Sequence, residues 1–134
     1  MVRRKPALRP SQISLLLGTF SLLTGCGHPV ERALAGRWFG ESVESFDTAD
    51  VAAATGWARG ASMEFSDDAI TVAIPAEDPR KGRYEVASAH EGDIVLAIRD
   101  DHGRSEKARF TLDGDHYLKW HLDERRSVVL RREQ

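Results

Sequence analysis

The sequence predicts an all-β domain, an eight-stranded antiparallel up-and-down barrel that follows a cleaved leader. Three observations carry this. Beyond residue 36, apolar and polar residues alternate with period two in Ile70-Thr71-Val72-Ala73-Ile74, Ile94-Val95-Leu96-Ala97-Ile98-Arg99 and Leu118-Lys119-Trp120-His121-Leu122, as half-buried strands require. The runs are separated by short segments rich in Asp, Gly and Ser, residues that tolerate or hydrogen-bond a tight turn. Sequential hairpins favour a meander, and an antiparallel meander of eight strands removes its two edges by closing on itself.

The leader comes first. Arg3, Arg4, Lys5 and Arg9 form a basic start, followed by an apolar stretch of 11 residues, Ile13 to Leu23. That is shorter than the ~20 residues a helix needs to cross about 30 Å of hydrocarbon; with the small residues after it, it has the pattern of a secretory signal peptide. Leu23-Thr24-Gly25-Cys26 follows directly and resembles the lipobox of bacterial lipoproteins. The resemblance implies that residues 1–25 are removed and that lipid is attached to Cys26, whose thiolate is the strongest side-chain nucleophile available. It also implies, through Gly27 rather than aspartate after the cysteine, a location in the outer membrane with the domain facing the periplasm.

The mature chain then holds 109 residues with 15 basic and 21 acidic side chains, a net charge of −6. This disfavours nucleic acid, which binds through phosphate neutralisation, and broad contact with anionic headgroups. Cys26 is the single cysteine, so no disulfide supports the core, and 109 residues are enough to hold one by packing.

Residues 26–35 read as a lipidated N-terminus and tether, with one helical turn over Glu31 to Ala35, and 36–134 as the barrel. Strands are expected at about 36–45, 60–66, 69–75, 82–89, 93–100, 104–112, 116–123 and 126–132. The hairpin turns fall at Ser66-Asp67-Asp68, Glu91-Gly92-Asp93, Asp101-His102-Gly103, Asp113-Gly114-Asp115 and Asp123-Glu124-Arg125, with the composition of short β-connections. Pro75 to Lys81 carries two prolines and ends a strand. Phe46 to Arg59 is longer; Asp47 or Thr48 is placed to cap a helical turn through Ala49 to Ala54, with Gly56 closing it. The period assigns Met63, Phe65, Ile70, Val72, Ile74, Tyr84, Val86, Ile94, Leu96, Ile98, Phe110, Leu112, Leu118, Trp120, Leu122, Val128 and Leu130 to the inward face. Arg83, Glu85, Arg99, Arg109, Lys119, His121 and Arg131 face out, with both charge signs mixed as on a solvated sheet.

Gly36-Arg37-Trp38 opens the first strand and resembles the Gly-x-Trp of lipocalins. That implies a lipocalin-like barrel whose closed end is plugged by Trp38. The mature chain is shorter than a typical lipocalin, and the family's later arginine has no assigned position. The chain is also similar in shape to small periplasmic lipoproteins with eight-stranded barrels that inhibit lysozyme, although the cysteine pair of that family is absent.

No constellation for catalysis emerges, and the chain is expected not to be an enzyme. His28, His90, His102, His116 and His121 are not spaced as metal ligands; His116 and His121, five apart on one strand, face opposite sides. Asp113-Gly114-Asp115 with Glu124 matches the ends of a calcium loop, but Leu118 stands where the sharp turn needs glycine. There is no Gly-x-Ser-x-Gly and no glycine-rich phosphate loop. No cofactor or metal is therefore expected. Trp38, Trp57, Tyr84 and Trp120 either line a ligand cavity or fill the interior, since eight strands leave just enough room for side chains. Trp57, on the long connection, is the expected exposed recognition residue. Two functions remain open: binding of a small apolar ligand or lipid at the open end, or a filled barrel that binds an envelope protein. Contact with the membrane is through lipid on Cys26.

Overall fold

The computed structural model describes residues 28–134. The leader, Cys26 and Gly27 lie outside the described residues. A short helix α1 (Pro29–Leu34) precedes the strands β1 (Gly36–Glu44), β2 (Ser62–Ser66), β3 (Ala69–Ala73), β4 (Arg80–His90), β5 (Asp93–Asp100), β6 (Ser105–Asp113), β7 (Tyr117–His121) and β8 (Ser127–Arg132), and a second helix α2 (Val51–Arg59) stands between β1 and β2. The strands pair in chain order, all antiparallel, and β8 returns to β1 to close the barrel. Closure satisfies the backbone groups that an open sheet would leave at its two edges.

Irregularities bend the long strands around the barrel. The register of β1 on β8 shifts between Gly40 and Ser42, and that of β4 on β5 between Val86 and Ser88; an extra residue there sharpens twist and bend. Turn chemistry follows the sequence. Asp67 and Glu91 adopt positive φ, as do Gly92, Gly103 and Gly114, and Asp123 accepts from the backbone N–H groups of Arg125 and Arg126 at 2.9 and 2.7 Å. These bonds, with the Arg126 guanidinium at 2.7 Å, hold the Asp123 carboxyl down to about 2.

The inward set is the core. Met63, Phe65, Ile70, Tyr84, Ile94, Leu96, Phe110, Leu118, Val128 and Leu130 are buried, and Val72, Val86, Ile98, Leu112 and Trp120 pack half-buried against them. Leu122 departs from the expectation. Strand β7 ends at His121, and Leu122, already in the turn, is 39% exposed. The outer wall carries Arg83, Glu85, Arg99 and Arg109, all exposed, where a lipid-facing barrel wall needs an apolar band about 25 Å tall. No helix among the described residues is long and apolar enough to cross a membrane.

The helices differ most from the expectation. Helix α1 is longer than one turn and is part of the fold, because Leu34 is fully buried. Helix α2 runs from Val51 to Arg59, so Gly56 lies inside it and Gly60 ends it, its N–H bonded to Ala58 O and Trp57 O. Asp50, not Asp47 or Thr48, takes the N-cap position, with no side-chain cap bond. Glycine costs a helix interior about 1 kcal/mol relative to alanine; here the turn beyond Gly56 is held by packing, with Ala58 fully buried and Trp57 against the core.

Candidate functional site

The strand directions give the barrel two distinct ends. One gathers the start of β1, the β2–β3, β4–β5 and β6–β7 turns and the end of β8; the other gathers α2 and the β3–β4, β5–β6 and β7–β8 connections.

The first end is closed. Trp38 is fully buried and its indole N–H donates to Leu34 O at 2.9 Å. The guanidinium of Arg132 lies over the Trp38 ring, 4.2 Å from its centroid. Its three nitrogens donate to three backbone carbonyls, Nη1 to Ala35 O at 2.7 Å, Nη2 to Ala33 O at 2.5 Å and Nε to Asp115 O at 2.8 Å. One side chain thus joins the last strand to α1, to the β6–β7 turn and to the plug. Gly36 permits this approach. Its φ is +119°, and a Cβ there would meet Arg132 Nη1 at 3.3 Å. Arg132 was not singled out by the sequence reading, although a signal existed: it continues the inward parity of Val128 and Leu130, where an arginine needs a reason.

Tyr84 is buried at 2% exposure, its ring edge-on to Phe65 at 5.5 Å. Its hydroxyl has no hydrogen-bond partner. Burial first, then the charges of Glu31 and Asp68, push its pKa up to about 12. The folded state therefore favours the neutral phenol, and this contribution is intact below pH ~10 and lost as pH rises from the unfolded value through 12. Leaving a buried hydroxyl unpaired costs about 1–3 kcal/mol, so Tyr84→Phe is expected to raise stability by about 1 kcal/mol and to remove that alkaline loss. Urea unfolding at pH 7 and pH 11 checks both; a destabilised Phe variant would mean that the hydroxyl has a partner in solution.

The second end carries α2 against β1 and is not filled. A largely apolar cavity of about 170 Å³ opens at this end on the β2–β7 side, walled by Met63, Ile70, Val72, Ile74, Ile98, Ala108, Phe110 and Trp120, with Arg80, Lys81, Gly82, Asp100 and Glu106 also lining it; none of these residues is on α2. The charges nearest the mouth are partly engaged. Arg80 pairs with Glu77 at 2.9 Å. Asp100 accepts from the backbone N–H groups of Arg104 and His102, both at 2.9 Å, which hold its carboxyl below the usual range. A wider groove of about 540 Å³ crosses the outer face of β4 and β5, but Asp68, Arg83, Glu85, Arg99 and Asp101 give it charged walls.

Helix α2 sits on β1. Gly40 faces inward next to Trp38, and its N–H donates to Ala61 O at 2.9 Å. A Cβ on Gly40 would fall 1.8 Å from Ala58 O and 2.7 Å from Ala58 C. The missing side chain is therefore the seat of α2. From there Trp57 reaches Trp120, ring centroids 6.1 Å apart.

The four aromatic candidates thus separate. Trp120 lines the cavity; Trp57, on α2, does not line it but packs against Trp120 and is half-buried, a correction to its expected exposure, because the connection folds back as a helix against the barrel. Trp38 and Tyr84 belong to the packed closed half. Cys26 lies outside the described residues.

On the outer wall, Thr111 Oγ1 donates to Asp93 at 2.8 Å and lies 2.8 Å from His121 Nε2. With its proton given to Asp93, Thr111 can only accept from His121, so the imidazole is a donor here and not a base for the hydroxyl. Burial, then Arg109, lowers the His121 pKa, which fits a neutral ring. Among the described residues no three histidine, cysteine or carboxylate side chains gather as a metal site. No protein-family model, no curated protein and no solved structure matches this chain.

Proposed function

We propose that this protein is a lipid-anchored barrel of the bacterial envelope, held in the outer membrane through Cys26 and facing the periplasm, that binds a small apolar molecule in the cavity at its open end. The cavity carries this reading: mostly apolar walls that include the aromatic rings of Phe110 and Trp120, with Arg80, Lys81, Asp100 and Glu106 completing the lining. Such a combination of apolar lining and few polar groups is what small-molecule sites use. The full burial of Trp38 at the opposite, closed end supports the lipocalin-like reading of the first-strand motif.

Volume limits the ligand. Pockets for drug-sized molecules run to roughly 300–1,000 Å³, while an apolar cavity of about 150 Å³ takes benzene. At about 170 Å³ the site fits a single ring or a short branched hydrocarbon, and a whole acyl lipid does not fit.

Toluene is the direct probe. Saturable shifts of the Trp120 indole and Ile98 methyl resonances are expected in the native chain and none in Ala108→Phe, whose ring occupies the space. Ala108→Leu, a smaller filling, is expected to weaken toluene binding and to raise stability by about 0.5–2 kcal/mol. If toluene leaves the native resonances unmoved, the cavity reading is sunk. The second reading, a barrel that binds an envelope protein through its surface, then takes its place. It is favoured by the exposed Val51 and Leu122, 41% and 39% accessible, both at the open end.

A further inference from the structure

Helix α1 is not free to swing. Leu34 is fully buried, its carbonyl receives the Trp38 indole N–H, and Arg132 holds the carbonyls of Ala33 and Ala35. The helix begins at Pro29, with His28 capping it through a bond from Val30 N–H to Nδ1 at 3.0 Å. Cys26 precedes Pro29 by three residues, and three residues span at most about 11 Å. A lipid on that cysteine therefore lies within one short reach of the closed end.

We propose that the anchor orients the barrel closed end down, with α1 and the β2–β3, β4–β5 and β6–β7 turns against the bilayer and the cavity mouth pointing away from it. The proposal rests on the reading of Cys26 as lipidated. Strands of eight or nine residues, rising about 3.3 Å each and tilted about 40°, place the mouth roughly 20 Å farther out. The ligand then enters from the aqueous side, and the bilayer that holds the protein does not feed the cavity directly. Charge attraction does not produce this orientation. The turns at the closed end carry Asp67, Asp68, Glu91, Asp113 and Asp115, all exposed, which an anionic surface repels. The short covalent reach alone sets it.

Because the chain has one cysteine and lipid would block it, a single added thiol can be labelled selectively. The lipidated full-length product, reconstituted in phosphatidylcholine vesicles carrying a headgroup nitroxide, is labelled with a fluorophore at the closed end (His116→Cys or His90→Cys) or at the open end (Glu124→Cys or Asp101→Cys). These four side chains are exposed, and circular dichroism confirms each fold. Several-fold stronger quenching at the closed-end sites is expected. Equal quenching at the two ends, or stronger quenching at the open end, overturns the orientation while leaving the anchor intact. Protein that does not float with the vesicles overturns the anchor itself, and the orientation with it. A Gly-Ser insert of roughly 20 residues after Gly27, about 25 Å in r.m.s. length, is expected to abolish the difference; a difference that survives the insert overturns the short tether as its cause.

Discussion

Replacing Arg132 with alanine is expected to produce the largest loss of stability of any charged side chain on the wall of this barrel. The guanidinium makes three hydrogen bonds to carbonyls of Ala33, Ala35 and Asp115 and a cation–π contact with Trp38 at 4.2 Å. Hydrogen bonds involving a charged group contribute about 1.5–3 kcal/mol each and a cation–π contact about 0.5–2. These are not additive, and the side chain is partly accessible, so a loss of about 3 kcal/mol is the reasonable expectation. For a domain of about 100 residues that lowers Tm by roughly 10–20 °C. The loss begins at α1, whose seat is gone, so trypsin cleavage after Arg32 is expected to accelerate before the barrel melts. Arg132→Lys keeps the charge over the ring but cannot supply a planar fork with three directed donors; it should recover only a minor part of the loss. A Tm within two or three degrees of the native value for Arg132→Ala, with no change at Arg32, would show that the closed end is held by apolar packing alone.

The second large effect is expected at Gly40. An added methyl would lie 1.8 Å from Ala58 O, and a backbone carbonyl in a packed helix cannot yield that distance. Either α2 leaves its seat or β1 shifts, and β1 is fixed on both sides by β2 and β8. Gly40→Ala is therefore expected to lift α2, exposing Trp57 and breaking its contact with Trp120. Overpacking of this kind costs about 1–3 kcal/mol, and the high end applies because Ala58 is fully buried. A red-shifted Trp emission with lower cooperativity of unfolding should accompany it. Gly56→Ala is the matched control in the same helix. Nothing lies within 4 Å of a Cβ there, so the substitution should stabilise by about 0.5–1 kcal/mol. If both variants behave alike, Gly40 is not the seat of α2.

The two glycines also show where sequence reasoning stops. Gly56 reads as a helix terminator, while Gly40 falls inside the expected first strand with no role of its own, and the structure reverses their importance. Local propensity argued for ending the helix at Gly56, and the buried contact of Ala58 outweighs it. At Gly40 the relevant fact is the approach of Ala58, 18 residues away, and spacing along a strand does not reveal what packs against it. The mark it leaves is a missing side chain on the inward face beside Trp38. Arg132 left a similar mark as a charge at inward parity, but its partners at Ala33, Ala35 and Asp115 come from opposite ends of the chain.

The features legible in the sequence are local in origin. Period two selects strands and their faces, and Asp, Gly and Ser at short intervals select the turns, so the eight strands, their order and most of the core follow from residues within a few positions of one another. The lipobox-like Leu23-Thr24-Gly25-Cys26 is likewise a local pattern. Long-range contacts settle the rest: α1 packs into the closed end through Leu34, Arg132 stacks on Trp38, α2 runs on to Arg59 against β1, and the interior is packed at one end and hollow to about 170 Å³ at the other. Each of these depends on which surfaces meet after the barrel closes, and on whether their shapes leave room. A small difference in fit, one methyl at Gly40 or one guanidinium at Arg132, sets the outcome there, because interiors pack at near-crystalline density.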